Sequence, residues 1–288
     1  MRCELCPRRC GVDRARETGF CGMGAGLKAA RAALHFWEEP CISGTRGSGT
    51  VFFSGCTLRC AFCQNRAISA GGFGKEITTA RLREIFEELI AQGAHNINLV
   101  SPTQFTPWIL EALAEPLPVP VVWNTGGYER VETLRTLEGK VQIYLPDLKY
   151  VSPALGEKYS GAADYFDCAS RAILEMYRQT GPYELGEDGL LRRGVVIRHL
   201  VLPGQLVDTK RVIDWAARTF RPGQVLFSLM SQYTPVPGAP PELARRLYRS
   251  EYRAACAYLE NCGIGEGFLQ ERTAAKEEYT PPFDLTGV

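Results

Sequence analysis

The chain has 288 residues, with 33 Lys or Arg and 32 Asp or Glu, so its formal net charge is +1. This balance predicts no nucleic-acid-binding surface and no charged tail, and without a run of about 18 apolar residues we expect no membrane span. The eleven cysteines are many for a cytosolic protein and too few for a disulfide scaffold. Because no apolar targeting segment precedes them, we expect a reducing cytoplasm, where clustered cysteines indicate metal binding or catalysis.

The N-terminal segment, residues 1–48, is rich in cysteine. Four of its cysteines are spaced C-x2-C-x3-C-x10-C, namely Cys3, Cys6, Cys10 and Cys21. So many thiols in a stretch with little apolar content predict a second, structural metal centre, because such a segment scarcely folds without a cross-link. Three alternatives stay open: a four-cysteine zinc site, a second iron–sulfur cluster, or free cysteines, with Cys41 or His35 completing another set.

From residue 49 onward, short apolar strands alternate with amphipathic helices. The predicted strands are 50–54, 96–100, 119–124, 141–147, 194–204 and 224–233. The predicted helices are 78–93, 106–114, 129–139, 164–181, 208–220, with Asp208 as its N-cap, and 241–263. Six such units imply a parallel sheet and are too few for a closed eight-stranded barrel. We therefore predict an α/β fold, a partial (β/α)6 barrel over residues 49–288.

Chemistry in α/β folds is placed at the carboxyl ends of the strands. Five side chains stand at or just after predicted strand ends: Cys56, Ser101, Asn124, Asp147 and Gln232. Because the strands are parallel, these ends meet at one rim of the sheet. The sequence therefore predicts a single site at this rim.

A loop with three cysteines follows the first predicted strand. Residues 52–65 read FFSGCTLRCAFCQN, and Cys56, Cys60 and Cys63 have the spacing C-x3-C-x2-C. Three thiolates can hold three irons of a 4Fe-4S cluster and leave the fourth iron open to a ligand from outside the protein. The alternatives are a zinc site or a chance spacing.

This loop, at the end of the first strand of a (β/α)6 unit, resembles that of the radical SAM superfamily. SGCTLRCAFCQN, LPDLKY and RHLVLPG are similar to motifs of the pyruvate formate-lyase activating enzyme group, and more closely to its uncharacterised homologues with an N-terminal CPRRC-type segment. The resemblance implies that S-adenosylmethionine (SAM) binds the open iron and is cleaved reductively to a 5′-deoxyadenosyl radical. That radical would abstract hydrogen from a peptide or small-molecule substrate. A reductant such as flavodoxin or ferredoxin is implied as electron donor.

The resemblance also assigns roles to residues around the loop. It implies that Phe62 packs near the adenine and that Lys149 contacts the SAM carboxylate or nearby polar groups. Asp147, two residues before Lys149, would help to hold a monovalent cation, although such a pair is more often a surface salt bridge. Ser101 and Thr103 stand where the family has a Gly-Gly-Glu motif for the SAM amino group, but their segment contains no carboxylate. A helix cap is the alternative role for these hydroxyls.

Four further residues complete the set of cofactor contacts implied by the resemblance: Asn65, Asn124, Arg198 and Gln232. Asn124 replaces an Asp of the family and removes a negative charge, which argues against a cation site. Arg198 would contact a carboxylate or hydroxyl of SAM. Gln232 lies where the activating enzymes have a SAM-contacting histidine.

Three functions compete at this stage. The first is a radical SAM enzyme acting on a peptide or small molecule. The second is an activating enzyme that generates a glycyl radical on a partner protein. The third is a non-catalytic Fe–S binding or sensing protein, which would not produce 5′-deoxyadenosine.

Overall fold

The computed structural model describes residues 2–270 and 281–288, so residues 271–280 of the predicted barrel lie outside the described residues. The strands are β1 (Leu27–His35), β2 (Ser48–Phe53), β3 (Lys75–Ile77), β4 (Ile97–Val100), β5 (Val121–Thr125), β6 (Ile143–Pro146), β7 (Glu184–Leu185), β8 (Leu191–Leu200), β9 (Leu226–Met230) and β10 (Gly267–Leu269). The α-helices are α1 (Pro40–Ser43), α2 (Arg66–Ser69), α3 (Thr79–Ala91), α4 (Thr106–Ala112), α5 (Val131–Arg135), α6 (Pro153–Ser160), α7 (Tyr165–Thr180), α8 (Leu206–Thr219) and α9 (Arg249–Asn261). In the part of the chain that the structure describes, no helix is both long and apolar enough to cross a membrane.

The strands form one open sheet in the order β10-β9-β8-β6-β5-β4-β2-β1-β3, and β7 pairs with β8. All neighbouring strands from β2 to β10 along this path are parallel. At least one helix lies between each of these strands and the next, since parallel strands need a crossover connection. The prediction of an α/β partial barrel with six strand–helix units is confirmed.

No pattern in the sequence predicts β1. Its sequence, LKAARAALH, is rich in alanine, which favours helix, yet it pairs antiparallel with β2 as far as His35 opposite Ser48. Pairing with a neighbouring strand therefore overrides the local preference. β1 belongs to residues 1–48 and extends the barrel sheet, and the division of the chain at residue 49 stays a prediction.

Three helix predictions need correction. The helix predicted at 129–139 is limited to α5, and the one predicted at 241–263 is replaced by a 3-10 turn at Pro241–Leu243 and by α9. Asp208 does not cap α8, because it lies in the first turn of that helix. Its carboxylate instead accepts hydrogen bonds from the backbone N–H groups of Val151 and Ser152, at 3.0 and 2.9 Å.

The start of α9 has a local cause. The carboxylate of Glu251 accepts a hydrogen bond from the backbone N–H of Tyr248, at 2.8 Å. It also pairs with Arg245, at 2.8 Å. This contact ends the preceding turn and caps the helix, because an acceptor at the first turn satisfies an N–H group without a helical partner.

The concave face of the sheet has an apolar layer below a polar one. Side chains alternate between the two faces along each strand. Two residues that are two positions apart in one strand therefore both face inward. The apolar layer, at the amino ends of the strands, packs on α1 and consists of Val122, Ile143, Val196 and Leu226, with Cys41 and Ile42 of α1. The layer above it is polar at Asn98, Asn124, Arg198 and Ser228 and apolar at Leu145 of β6. α1 thus closes the bottom of the barrel, and the chemistry lies above it.

Candidate active site

The cysteine loop begins immediately after β2. Gly55 has a φ of +79°, and a Cβ there would lie 2.7 Å from the carbonyl oxygen of Cys21, so a side chain cannot be accommodated. This turn directs the loop over the carboxyl ends of the strands. The predicted site at the rim therefore starts from a tight turn that only glycine permits.

Each of the three sulfur atoms in the loop accepts a hydrogen bond. The backbone N–H of Leu58 donates to Cys56 Sγ at 3.4 Å. The hydroxyl groups of Ser69 and Ser160 donate to the other two sulfurs, Cys63 Sγ at 3.3 Å and Cys60 Sγ at 3.0 Å. Donors aimed at sulfur stabilise thiolates.

The electrostatics of the loop fit a metal cluster. Burial, followed by the charges of Cys60 and Cys63, raises the pKa of Cys56 to about 12. Burial likewise raises the pKa of Cys63, and the charge of Lys149 opposes this. Bare thiolates are therefore unfavourable here, and bound iron would supply the positive charge that they need.

The thiols of the loop are not gathered around one point. Among residues 2–270 and 281–288, no group of three or more His, Cys, Asp or Glu side chains is arranged to hold one metal ion. In a 4Fe-4S cluster each thiolate binds a different iron, so the ligands stand apart. The three thiols are therefore compatible with a cluster in which each of them binds a different iron.

A partly buried charge network lies beside the loop. Lys149 Nζ donates to Asp147 Oδ2 at 2.6 Å, and Arg198 Nε donates to Asp147 Oδ1 at 3.0 Å. Arg198 also donates to Glu38 Oε2, at 3.1 Å, and to Asn124 Oδ1, at 2.5 Å. The side chains of Asp147 and Lys149 are each 18% exposed, so they do not form a surface salt bridge.

The pKa values in this network follow from its pairing. Burial alone would raise the pKa of Asp147, but the charges of Lys149 and Arg198 outweigh burial and lower it. Burial alone would lower the pKa values of Lys149 and Arg198, but the negative charges around them, with that of Asp147 first, together outweigh burial and raise both pKa values. All three groups are therefore charged at neutral pH.

The segment after β4 contacts a carboxylate that the sequence pattern did not indicate. Thr103 Oγ1 donates to Glu129 Oε1 at 2.6 Å, and Thr125 Oγ1 donates to the same oxygen. Ser101, with a φ of +55°, donates its backbone N–H to the carbonyl oxygen of Asn124, at 2.9 Å. Burial raises the pKa of Glu129 to about 7. The segment that contains Ser101 and Thr103 has no carboxylate of its own, as expected. Glu129 nevertheless supplies one at this position of the site.

The remaining predicted contacts surround the loop. Phe62 is buried among the rings of three tyrosines, with centroid distances between 6.1 and 6.3 Å, namely Tyr150, Tyr159 and Tyr233. Asn65 lies immediately before α2 and makes no side-chain cap. The backbone oxygen of Gln232 accepts a hydrogen bond from Gln64 Nε2, at 3.2 Å, which connects the end of β9 to the cysteine loop.

Next to this network is a cavity of about 380 Å³, here called the barrel cavity. It lies between the segment before α1 and the strands β9 and β10. Its lining includes Glu38, Glu39, Arg198 and Gln232. The two glutamates were not predicted as site residues, because 160 positions separate Glu38 from Arg198 and no local pattern marks the pair.

The N-terminal cysteine segment packs directly against the cysteine loop. The backbone N–H of Cys56 donates to the carbonyl oxygen of Cys21 at 3.4 Å. Arg8 donates to the carbonyl oxygens of Thr57, at 2.9 Å, and Ser160, at 2.6 Å. Burial raises the pKa of Cys6 to about 12.

The fold and the loop define a partial α/β barrel with a three-thiol site at the carboxyl ends of its strands. The chain belongs to the Radical SAM superfamily, whose family model matches residues 50–216. It is therefore an enzyme, and its superfamily implies a 4Fe-4S cluster and SAM. The predicted superfamily is confirmed, while the closer likeness to the activating enzymes stays a prediction.

The chain is similar to three proteins that differ in how much is known of them. The chain is 32% identical over 274 residues to a protein of Methanocaldococcus jannaschii described as uncharacterized protein MJ0674, covering 91% of this chain and 75% of that one. SuiB of Streptococcus suis, bound to S-adenosylmethionine, has a similar fold, with 12% identity and a TM-score of 0.50 over 75% of this chain and 48% of SuiB. This chain thus spans about half the length of SuiB. Methylornithine synthase (PylB) has 16% identity and a TM-score of 0.47, over 71% of this chain and 59% of PylB.

Proposed function

We propose that this enzyme cleaves SAM reductively at a 4Fe-4S cluster held by Cys56, Cys60 and Cys63. The observation that carries the proposal is the set of three sulfurs, each with its own hydrogen-bond donor, at the rim of the barrel. When bound, the cluster and SAM supply the radical chemistry, and the protein supplies binding, orientation and exclusion of water. The non-catalytic alternative has no use for the charge network beside these sulfurs.

Two residues of the rim would bind the two charged groups of the amino-acid part of SAM. Lys149, whose charge acts on Cys60 and Cys63, would bind the SAM carboxylate. Glu129, held by Thr103 and Thr125, would accept a hydrogen bond from the SAM amino group. These two groups offer charges of opposite sign, as the two ends of an amino acid require.

Other residues of the site would orient the cofactor or stabilise its position. Phe62 and its tyrosine neighbours supply an apolar surface for the adenine. The guanidinium of Arg198 already bridges Asp147 and Asn124. It takes the position of a monovalent cation beside Asp147, which favours a site without such a cation.

The substrate would enter the barrel cavity. A cavity of about 380 Å³ admits a small molecule or the side chain of a peptide. Hydrogen abstraction from such a substrate is the function proposed, with flavodoxin or ferredoxin as the electron donor. Generation of a glycyl radical on a partner protein is the second candidate, supported by the LPDLKY and RHLVLPG motifs.

For the N-terminal segment we propose a second, structural metal centre held by Cys3, Cys6, Cys10 and Cys21. Its support is the proximity of these thiols, since charges of Cys3 and Cys21 act on Cys6 and a charge of Cys10 acts on Cys21. As in the cysteine loop, the side chains in the described residues are not arranged around a single ion. This favours an iron–sulfur cluster over zinc.

Anaerobic incubation of the reconstituted protein with SAM and dithionite tests the proposal. We expect formation of 5′-deoxyadenosine and methionine, measured by liquid chromatography. With a deuterated substrate we expect deuterium in the 5′-deoxyadenosine. A preparation with a full complement of iron that binds SAM and forms no 5′-deoxyadenosine would contradict the proposal.

A further inference from the structure

The barrel cavity combines an apolar wall with a polar mouth. The apolar wall is formed by Phe36, Trp37, Met230 and Phe268. The polar mouth is formed by Gln232 and Gln270. At its inner end, close to the start of α1, lies Glu39. The residue is only 8% exposed, and charged side chains are rarely so buried without a partner.

The carboxylate of Glu39 is incompletely paired. Within the described part of the chain, its Oε2 atom has no hydrogen-bond partner. A buried acceptor in this state is unfavourable, because it has lost its hydrogen bonds to water and gained none in the protein. The neighbouring hydroxyl of Ser228 faces the carboxylate, which leaves one oxygen for a donor from outside the protein.

The charges around Glu39 do not balance. Three carboxylates, those of Glu38, Glu39 and Asp147, share two buried cations, Lys149 and Arg198. The guanidinium of Arg198 already donates to Asp147, Glu38 and Asn124. Glu39 therefore receives only the more distant charge of Arg198, and one negative charge remains in excess.

The protonation of Glu39 reflects this imbalance. Burial is the main cause that raises its pKa, the charge of Arg198 opposes it, and the charge of Glu38 adds to it. The charge of Glu39 in turn raises the pKa values of Arg198 and of Cys41, at the start of α1. In the absence of a ligand, a proton at Glu39 removes the excess charge. A bound cation would displace that proton and remove the same charge.

We propose that Glu39 binds a cationic group of the substrate, an amine or a guanidinium, within the barrel cavity. The inference deepens the proposed function and rests on it, because it names the class of substrate. The cation would contact the free carboxylate oxygen, and the rest of the substrate would lie along the apolar wall toward Gln232 and the cysteine loop. SAM does not fill this position, since its expected contacts at Lys149 and Glu129 lie at the opposite, carboxyl end of the strands.

The test measures binding of simple probes to the reconstituted holoenzyme with SAM. Agmatine and n-butylammonium are the cationic probes, and n-butanol is the neutral one. Each is titrated by its effect on the thermal unfolding temperature, from which an apparent affinity follows at probe concentrations up to ~100 mM. We expect both cations to bind more tightly than butanol, and the Glu39→Gln variant to lose this preference by about tenfold or more.

The pH dependence gives a second readout that a merely structural glutamate would not produce. Because the cation displaces a proton from Glu39, its apparent affinity for the wild type should rise with pH until Glu39 is fully ionised. In Glu39→Gln it should be independent of pH. The matched control is Glu187→Gln, which removes the same charge from an exposed turn and should keep both the preference and its pH dependence.

Several results would overturn the inference. One is an equal preference for cations in Glu39→Gln and wild type, and another is no stabilisation of the wild type by either cation. A third is a wild type that shows no preference for cations, combined with a variant that gains this preference when Arg272 and Lys276 are both replaced by Gln. In that case a side chain of this protein, and not the substrate, would supply the cation. Iron content and 5′-deoxyadenosine formation in the same preparations show separately whether the proposed radical function has failed.

Discussion

The two cysteine segments adjoin each other but are held in different ways. The cysteine loop extends from a strand of the parallel sheet, and its sulfurs accept hydrogen bonds from Leu58, Ser69 and Ser160. In the N-terminal segment, residues 2–26 contain no helix or strand in the described structure beyond an isolated bridge between Arg2 and Asp13.

This difference shows what sets the geometry of each segment. The fold imposes much of the geometry of the loop, because two of the three donors, Ser69 and Ser160, belong to α2 and α6. The N-terminal segment has turn hydrogen bonds, such as Arg9 N–H to Cys6 O at 3.1 Å, and contacts from Arg8 and Arg14. We therefore expect metal removal to affect the order of the N-terminal segment more than that of the loop.

The largest expected effect is on catalysis. In Cys60→Ala the loop should stay folded, since its donors remain, but it loses one of three cluster ligands. Absorption from this cluster and SAM cleavage should both be abolished. The matched control, Cys256→Ala, removes a partly buried thiol on α9 and should retain both. Full SAM cleavage by Cys60→Ala would assign the cluster to other residues.

The next effect concerns the N-terminal metal. Cys6→Ala should remove one metal centre and expose residues 2–24 to proteolysis, while the barrel and SAM cleavage persist. A second cluster predicts about eight irons per wild-type chain, whereas zinc predicts about four irons and one zinc. The control Arg8→Gln loses the hydrogen bonds to Thr57, Ser160 and Gly161 and the contact with the ring of Phe20. It removes no thiol and should keep its metal. Four irons and no other metal in the wild type would refute a second centre.

A smaller effect is expected at the charge network. Lys149→Ala should weaken SAM binding by about 10- to 150-fold, because one charged hydrogen bond contributes about 1.5–3 kcal/mol. Absorption from the cluster should not change, since Lys149 is not a ligand. Equilibrium dialysis with SAM measures the effect, and Lys158→Ala, which removes a half-exposed lysine on α6, is the control. An affinity equal to that of the wild type would make Lys149 structural only.

The features of the fold that depend on a local sequence pattern were predictable from the sequence. The helical spacing of Leu82, Ile85 and Phe86 predicted α3, and all three side chains are buried. The positions of the rim residues followed from the strand ends. Such features need only neighbouring residues and the parallel arrangement of the strands.

Contacts between distant segments were not predictable in this way. Glu38 reaches Asn98, Asn124 and Arg198 from a loop before α1. Glu129, which follows Gly126 and Gly127, turns back to Thr103. In both cases a loop brings the carboxylate to the site, and no repeating sequence pattern indicates this contact. The charge balance of the site is therefore visible only in the folded structure.

Glu129 lies where the two cysteine segments meet, since it bonds to the rim and its charge acts on Cys6. Burial raises its pKa from an ordinary 4.5 to about 7, so the native state binds more protons than the unfolded state between these values. Stability therefore falls as pH rises through this window, by about 3 kcal/mol in full. In Glu129→Gln this loss is absent.

The absolute stability of Glu129→Gln depends on two opposing terms. The amide oxygen can still accept hydrogen bonds from Thr103 and Thr125. The new NH2 group takes the place of Oε2, which has no hydrogen-bond partner in the described residues. Burying this unpaired donor lowers the free energy of unfolding by an amount that does not vary with pH. The change with pH is therefore the clean measurement. Between pH 5.5 and 8.5 the unfolding temperature of the variant should rise relative to wild type by about 5 °C. Exposed Glu187→Gln should show no such trend, and a flat difference for Glu129→Gln would mean that this carboxylate is already ionised at pH 5.5.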